Sequence, residues 1–110
     1  MEHEKIIIAA DSGIAIRSAK DVSDAIGACF GSTGLVITER ELAAEFFDLR
    51  TGLAGEVIQK FVNYRKRVAV VVADLAAHGD RFSELAREHR HHDLIRFVST
   101  TAEGVAWLQR

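Results

Sequence analysis

The residues of this chain that could do chemistry gather in one short stretch, Glu45-Phe46-Phe47-Asp48-Leu49-Arg50-Thr51-Gly52-Leu53. Asp48 and Arg50 bring opposite charges two residues apart, Thr51 brings a hydroxyl, and Gly52 leaves room for a close approach of backbone or ligand. Immediately downstream, Leu53, Val57, Ile58, Phe61 and Tyr64 recur at three- and four-residue spacing, the buried stripe of an amphipathic helix. The reactive types therefore stand at a helix start. First-turn N–H groups and the positive end of the helix dipole favour phosphate or carboxylate there. Arg50 can fork onto such an anion or pair with Asp48. Thr51 can be phosphorylated, or it can cap the helix by accepting a bond from an N–H two or three residues on, which is the commoner use of such a residue. Phe47, Asp48, Arg50, Thr51 and Gly52 thus form the candidate binding surface, with Thr51 as the candidate phosphoacceptor. Phe46 and Phe47 read as core residues, but neighbours on a strand-like segment face opposite ways, so an exposed one of the two would mark a protein interface. Gly55 reads as a packing contact against the sheet and Glu56 as a solvated helix position.

The remaining chemistry-bearing residues point to structure. His89-Arg90-His91-His92-Asp93 is the one cluster of metal-ligand types, but Leu94 must already begin a strand, and histidine and arginine in a last helical turn complement the dipole. No metal site is assigned. Tyr64-Arg65-Lys66-Arg67 likewise completes the carboxyl end of a helix. Cys29 shares a helix face with Val22, Ala25 and Ile26 and reads as a buried thiol rather than a nucleophile. No Ser/His/Asp or Cys/His arrangement and no G-x-x-x-x-G-K loop is present, so no cofactor is expected.

Composition narrows the class further. A chain of 110 residues, 48% of them apolar, makes one domain over 1–110 and closes a single core. Its formal net charge of −2 gives no electrostatic footprint for nucleic acid or an anionic membrane. A lone cysteine indicates a reducing compartment, and Ile6 to Ala10 is too short to span a membrane and lacks a basic leader, so a cytoplasmic protein is expected.

The elements that hold the stretch in place follow from shifts in apolar period. Ile6 to Ala9 and Ile14 to Arg17 read as two strands joined by Asp11-Ser12-Gly13 in a hairpin. Ser18 and Asp21 make a capping box for a helix through Phe30, which Gly31 ends. Leu35-Val36-Ile37 is a short central strand, and Thr38 with Glu41 caps a brief helical turn around Leu42 and Ala43. The main helix runs from about Thr51 to Asn63, and Val68 to Val72 is an internal strand flanked by parallel neighbours. Asp74 to Gly79 forms a loop, Asp80 caps a helix carrying Phe82, Leu85 and Ala86, Leu94 to Val98 is the last strand, and Thr100 with Glu103 caps a closing helix that packs Trp107 on the sheet. This is an α/β chain of about five strands and about four helices: a mixed, mostly parallel sheet with an N-terminal hairpin as its antiparallel edge.

That order, with its Gly-Leu helix start after the third strand, resembles sulfate-transporter and anti-sigma-factor-antagonist domains, the STAS fold. In that fold the corresponding turn often reads Asp-Ser-x-Gly-Leu, and its serine is phosphorylated by a partner kinase to control binding. The resemblance places Thr51 of Leu49-Arg50-Thr51-Gly52-Leu53 at the serine-like position. Asp48 stands one residue earlier than in the pattern and Arg50 replaces a small residue. Phe46 through Glu56, with Gln59-Lys60-Phe61 and Asn63-Tyr64-Arg65 before the valine strand, is similar over nearly the whole length to a family of small bacterial proteins known as domain of unknown function 4180, which brings no activity with it.

Together these features read as a small cytoplasmic regulatory module that binds a protein partner through the turn from Phe47 to Leu53. An anion or small-molecule binder at the same helix mouth is the first alternative. An enzyme using Asp48, Arg50 and Thr51 is the remoter one, because acid–base work needs positioned partners with shifted pKa values. A homodimer stays open; nucleic acid and membrane do not figure among the expected partners.

Overall fold

Leu35-Val36-Ile37 and Val68-Ala69-Val70-Val71 are apolar on both faces, and they lie side by side at the centre of a parallel sheet. In the computed structural model, which describes residues 5–110, the sheet is formed by β1 (Lys5–Ile8), β2 (Ser32–Thr38), β3 (Arg67–Val71) and β4 (Ile95–Val98) in the order β1-β2-β3-β4. Each neighbouring pair is parallel. The helices are α1 (Ala9–Ser12), α2 (Lys20–Ala28), α3 (Ala44–Phe47), α4 (Leu53–Asn63), α5 (Asp80–Glu88) and α6 (Thr101–Leu108).

This order explains the layering. Every connection steps one strand in the same direction, so crossovers of one hand put the connecting helices on one face. α2 and α4 pack on each other there. Leu35, Ile37, Val68, Val70 and Ile95 point into that layer among Val22, Ile26, Val57, Phe61 and Phe82. The alternate residues Val36, Ala69 and Val71 point the other way and are covered by Trp107 and Leu108 of α6. α6 sits unusually close: a methyl group on Gly34 would meet the Arg67 carbonyl and Leu108 Cδ2 at 2.7 Å, and one on Gly104 would meet Ala69 Cβ at 3.0 Å.

Several expectations are met. β3 is internal and its last four residues are buried, Cys29 is buried in the larger core, and the boxes Thr38/Glu41 and Thr100/Glu103 have both halves formed.

The N-terminal hairpin is not. β1 pairs in parallel with β2, and Ala9-Ala10-Asp11-Ser12 winds into a helical turn that Gly13 closes at φ 69°. Asp11-Ser12-Gly13 suits a helix end as well as a hairpin turn, because both need one left-handed residue. Covering decides between them: Ile7 packs into one core and Ile6 and Ile8 into the other, which a solvent-faced hairpin would not require. The expected second strand, Ile14 to Arg17, is not a strand: only Ile16 pairs, bridging Leu42 in parallel, and Arg17 already bends. The described residues therefore hold four strands rather than five and no antiparallel edge. The four longer helices correspond to those expected, and α1 and α3 are single extra turns.

Smaller corrections follow the same logic. Phe46 and Phe47 lie on the helical turn α3, not on a strand-like segment. Asp80 is the first residue of α5 and Gly79 its cap. Asp21 does reach back to the Ser18 N–H, at 3.2 Å, yet the residue capping α2 is Ala19.

Candidate functional site

The turn between α3 and α4 is built by its own side chains. Asp48 opens a 3-10 turn, Leu49–Thr51, by accepting the Arg50 N–H on Oδ1 at 3.1 Å. The Arg50 guanidinium folds back on the same carboxylate, Nε to Oδ1 and Nη2 to Oδ2, each at 3.1 Å. These hydrogen bonds hold the Asp48 carboxyl below its ordinary value and raise Arg50 further. The pair remains wet, since the Arg50 side chain is 86% exposed.

Thr51 closes the turn. Its hydroxyl has one proton and two carbonyl acceptors in reach, Glu45 O at 2.6 Å and Asp48 O at 2.8 Å. Its oxygen also accepts the Leu53 N–H at 3.3 Å. The threonine thus ties the start of α3 to the first residue of α4, and the capping use foreseen for it is present in the bond from two residues on. Gly52, at φ 81°, turns the chain into α4 through a left-handed conformation that other residues adopt only at a cost. Gly55, by contrast, is exposed with nothing within 4 Å of a would-be Cβ, so the expected packing against the sheet is not there.

The turn is a ridge between two open clefts. On one side a space of about 330 Å³ is lined by Arg17, Ser18, Glu45, Thr51, Gly52 and Glu56. On the other a space of about 420 Å³ is lined by residues including Phe47, Asp48, Arg50, His78, Arg81 and Phe82. Sequence reasoning brought together Phe47, Asp48, Arg50, Thr51 and Gly52 and missed Arg17, Glu39 and His78. His78 Nε2 lies 2.8 Å from Glu39 Oε2, and its ring stacks on Phe47 with centroids 4.0 Å apart. Glu39 Oε1 also accepts the Ala73 N–H at 3.2 Å. A signal was available: Glu39 and His78 both follow the carboxyl ends of adjacent apolar strands, and a parallel sheet brings those ends together at the place where such folds bind ligands. Phe46 is fully buried and Phe47 half-buried under His78, so neither phenylalanine is the exposed ring the sequence allowed for.

The histidine cluster is spent on the backbone. His89 Nδ1 lies 2.8 Å from the Leu85 carbonyl, and His92 Nδ1 accepts the Leu94 and Ile95 N–H groups at 3.0 and 3.1 Å. Among the described residues no three histidine, cysteine or acidic side chains are grouped to hold a metal ion. No helix among them is long and apolar enough to cross a membrane.

Residues 1–108 match the family described as Domain of unknown function (DUF4180), and the chain belongs to it. No curated protein and no solved structure matches the chain.

Proposed function

We propose that this chain, starting from a family that assigns no activity, is a small regulatory module that recognises a protein partner through the ridge from Phe47 to Leu53. The observation that carries the reading is the ridge itself, a self-braced turn with an open cleft on either side, each of a size to receive partner side chains. Charge favours a protein over a free anion: Glu45 and Glu56 share the cleft at the α4 mouth with Arg17, and Asp48 already occupies the fork of Arg50. An enzyme built on Asp48, Arg50 and Thr51 gains no support, because each of these groups is engaged in holding the turn.

Regulation fits the same geometry. Transfer of a phosphoryl group from a nucleoside triphosphate to the Thr51 hydroxyl releases the nucleoside diphosphate and the hydroxyl proton, so both carbonyl contacts are lost and a dianionic group enters a cleft lined by Glu45 and Glu56. The turn would open. This is the one feature of the STAS resemblance retained here, with Thr51 in the serine-like role.

The test is site-specific cross-linking. A photoreactive residue in place of Arg50 should capture a defined partner in cells, while the same residue at Ala106, exposed on α6 across the sheet, should not. Thr51→Glu should abolish the capture at position 50. Equal capture at both positions, or none at position 50, would end the proposal.

A further inference from the structure

The amino ends of the strands carry a second, different surface. Phe30, just after α2, and Tyr64, at the end of α4, are 61% and 53% exposed, the large hydrophobic side chains open to solvent among the described residues. Their rings meet edge to face at 6.4 Å, and Lys66 Nζ lies 4.9 Å over the Phe30 ring. Arg65 stands between them at φ 53°, the non-glycine residue with positive φ among those described. It occupies the left-handed position of a helix-ending motif, with Arg65 N bonded to Val62 O at 3.0 Å and Lys66 N to Phe61 O at 2.9 Å. Glycine is the usual occupant there, and an arginine carries a steric cost. A cation here complements the helix dipole, but glycine would hold the conformation without the steric cost.

More positive charge lies on the other layer of the same edge. The Arg67 and Arg96 guanidiniums sit 4.4 and 5.1 Å from the Trp107 ring. Arg67 also donates to the Trp107 and Leu108 carbonyls, which ties down the end of α6. Burial, then the nearby Arg96 and Arg110, lower the Arg67 pKa against the opposing pull of Asp93. The carboxyl edge has the opposite character, with Glu39, Glu41, Glu45, Asp48 and Asp74 against Arg17, Arg40 and Arg50. The net charge of −2 is therefore an average over two ends of different sign, and it hides a basic face.

We propose that this amino edge binds single-stranded nucleic acid, with bases stacking on Phe30 and Tyr64 and phosphates lying on Arg65, Lys66 and Arg110. Two largely exposed rings with cations on the same edge of the sheet are the elements of sequence-tolerant single-strand recognition. Duplex DNA hides its base faces and cannot use the rings. An acidic protein segment would satisfy the cations but leave the rings without flat partners. The surface lies at the opposite end of the sheet from the Phe47–Leu53 ridge, so it stands or falls independently of the partner proposed there.

The test is fluorescence anisotropy with labelled oligo(dT) and oligo(U) of about 20 nucleotides, longer than the usual single-strand site, at roughly 50 mM salt. Saturable binding that weakens steeply with salt is expected. Phe30→Ala and Tyr64→Ala should each weaken it by at least about fivefold, the low end for loss of one stacked base. Arg65→Gly is the decisive variant, because it should raise the melting temperature by roughly 4 °C while weakening binding. Tyr64 is the sole tyrosine, so a fluorotyrosine label gives one resonance that should shift with oligo(dT) and stay in place with polyglutamate. Absence of binding, undiminished binding by both alanine variants, or displacement of the oligonucleotide by polyglutamate or duplex DNA at equal charge concentration would each overturn the proposal.

Discussion

The His78 ring lies nearly parallel to that of Phe47, 15° apart in plane with centroids at 4.0 Å. One face of the candidate ridge is thereby fastened to the turn after β3. Through His78 Nε2 and Glu39 Oε2, at 2.8 Å, it is fastened to the turn after β2 as well. The turns after two neighbouring strands thus hold Phe47 where it is.

A removal series measures that fastening. His78→Ala deletes a bond to a carboxylate and a stacked ring on a partly exposed site, and it should cost about 1–2 kcal/mol in urea unfolding. In a double-mutant cycle with Glu39→Gln the pair should show a coupling of at least about 0.5 kcal/mol. Additive losses would mean that the 2.8 Å contact contributes geometry without energy.

Much of this fold is legible in the sequence, and most of the gaps share one cause. β3 and the box Thr100/Glu103 depend on near neighbours, and both are where the pattern puts them. Asp11-Ser12-Gly13 suits a helix end as well as a hairpin, and only the burial of β1 on both faces beside the distant β2 decides between the two. Glu39 and His78 meet for the same reason, across 39 residues of chain that no local pattern links. Gly55 is a different case, since the helical period itself turns it away from the stripe of Leu53, Val57 and Phe61 and into solvent.

The glycines make that last point testable. Gly55→Ala on exposed, open α4 surface should stabilise the protein by up to about 1 kcal/mol through helix propensity. Gly34→Ala must push Cβ against the Arg67 carbonyl and should destabilise by about 1–3 kcal/mol. Calorimetry on both variants separates the two; a destabilised Gly55→Ala would restore a packing role for that residue.

Thr51 separates structure from signalling. Thr51→Val keeps the shape and removes the proton that reaches Glu45 O and Asp48 O, so it should cost about 1 kcal/mol, whereas Thr51→Ser should cost little. Equal stability of Thr51→Val and wild type would show that the hydroxyl does not brace the turn, and the unlocking role of its modification would go with it.

Asp48 supplies a pH dependence of defined sign. Its folded carboxyl titrates below the unfolded value of about 3.9, so its contribution is fully present above that value and is lost as pH falls through the folded one. Asp48→Asn lacks this titration. The gap in urea midpoint between wild type and Asp48→Asn should therefore be constant from neutral pH to about 5 and should close below about 4. A gap unchanged down to pH 2 would show that the Arg50 pair does not form in solution.

Cys29 gives the opposite sign at the alkaline end. Burial raises its thiol pKa, and nearby Lys66 only partly offsets the effect. The folded state therefore keeps the proton after the unfolded chain, with a thiol near pKa 8.5, has begun to lose it. Its contribution is complete below the unfolded value and disappears as pH rises through the folded one. Wild type should lose urea stability relative to Cys29→Ala as pH rises above about 8.5, with no relative change near neutral pH. A thiol reagent at neutral pH should label the native protein far more slowly than the unfolded chain, because the sulfur becomes accessible only on opening. Equal labelling rates would mean that Cys29 is not held in the core among Val22, Ala25 and Ile26, and that α2 does not seat on the sheet through that face.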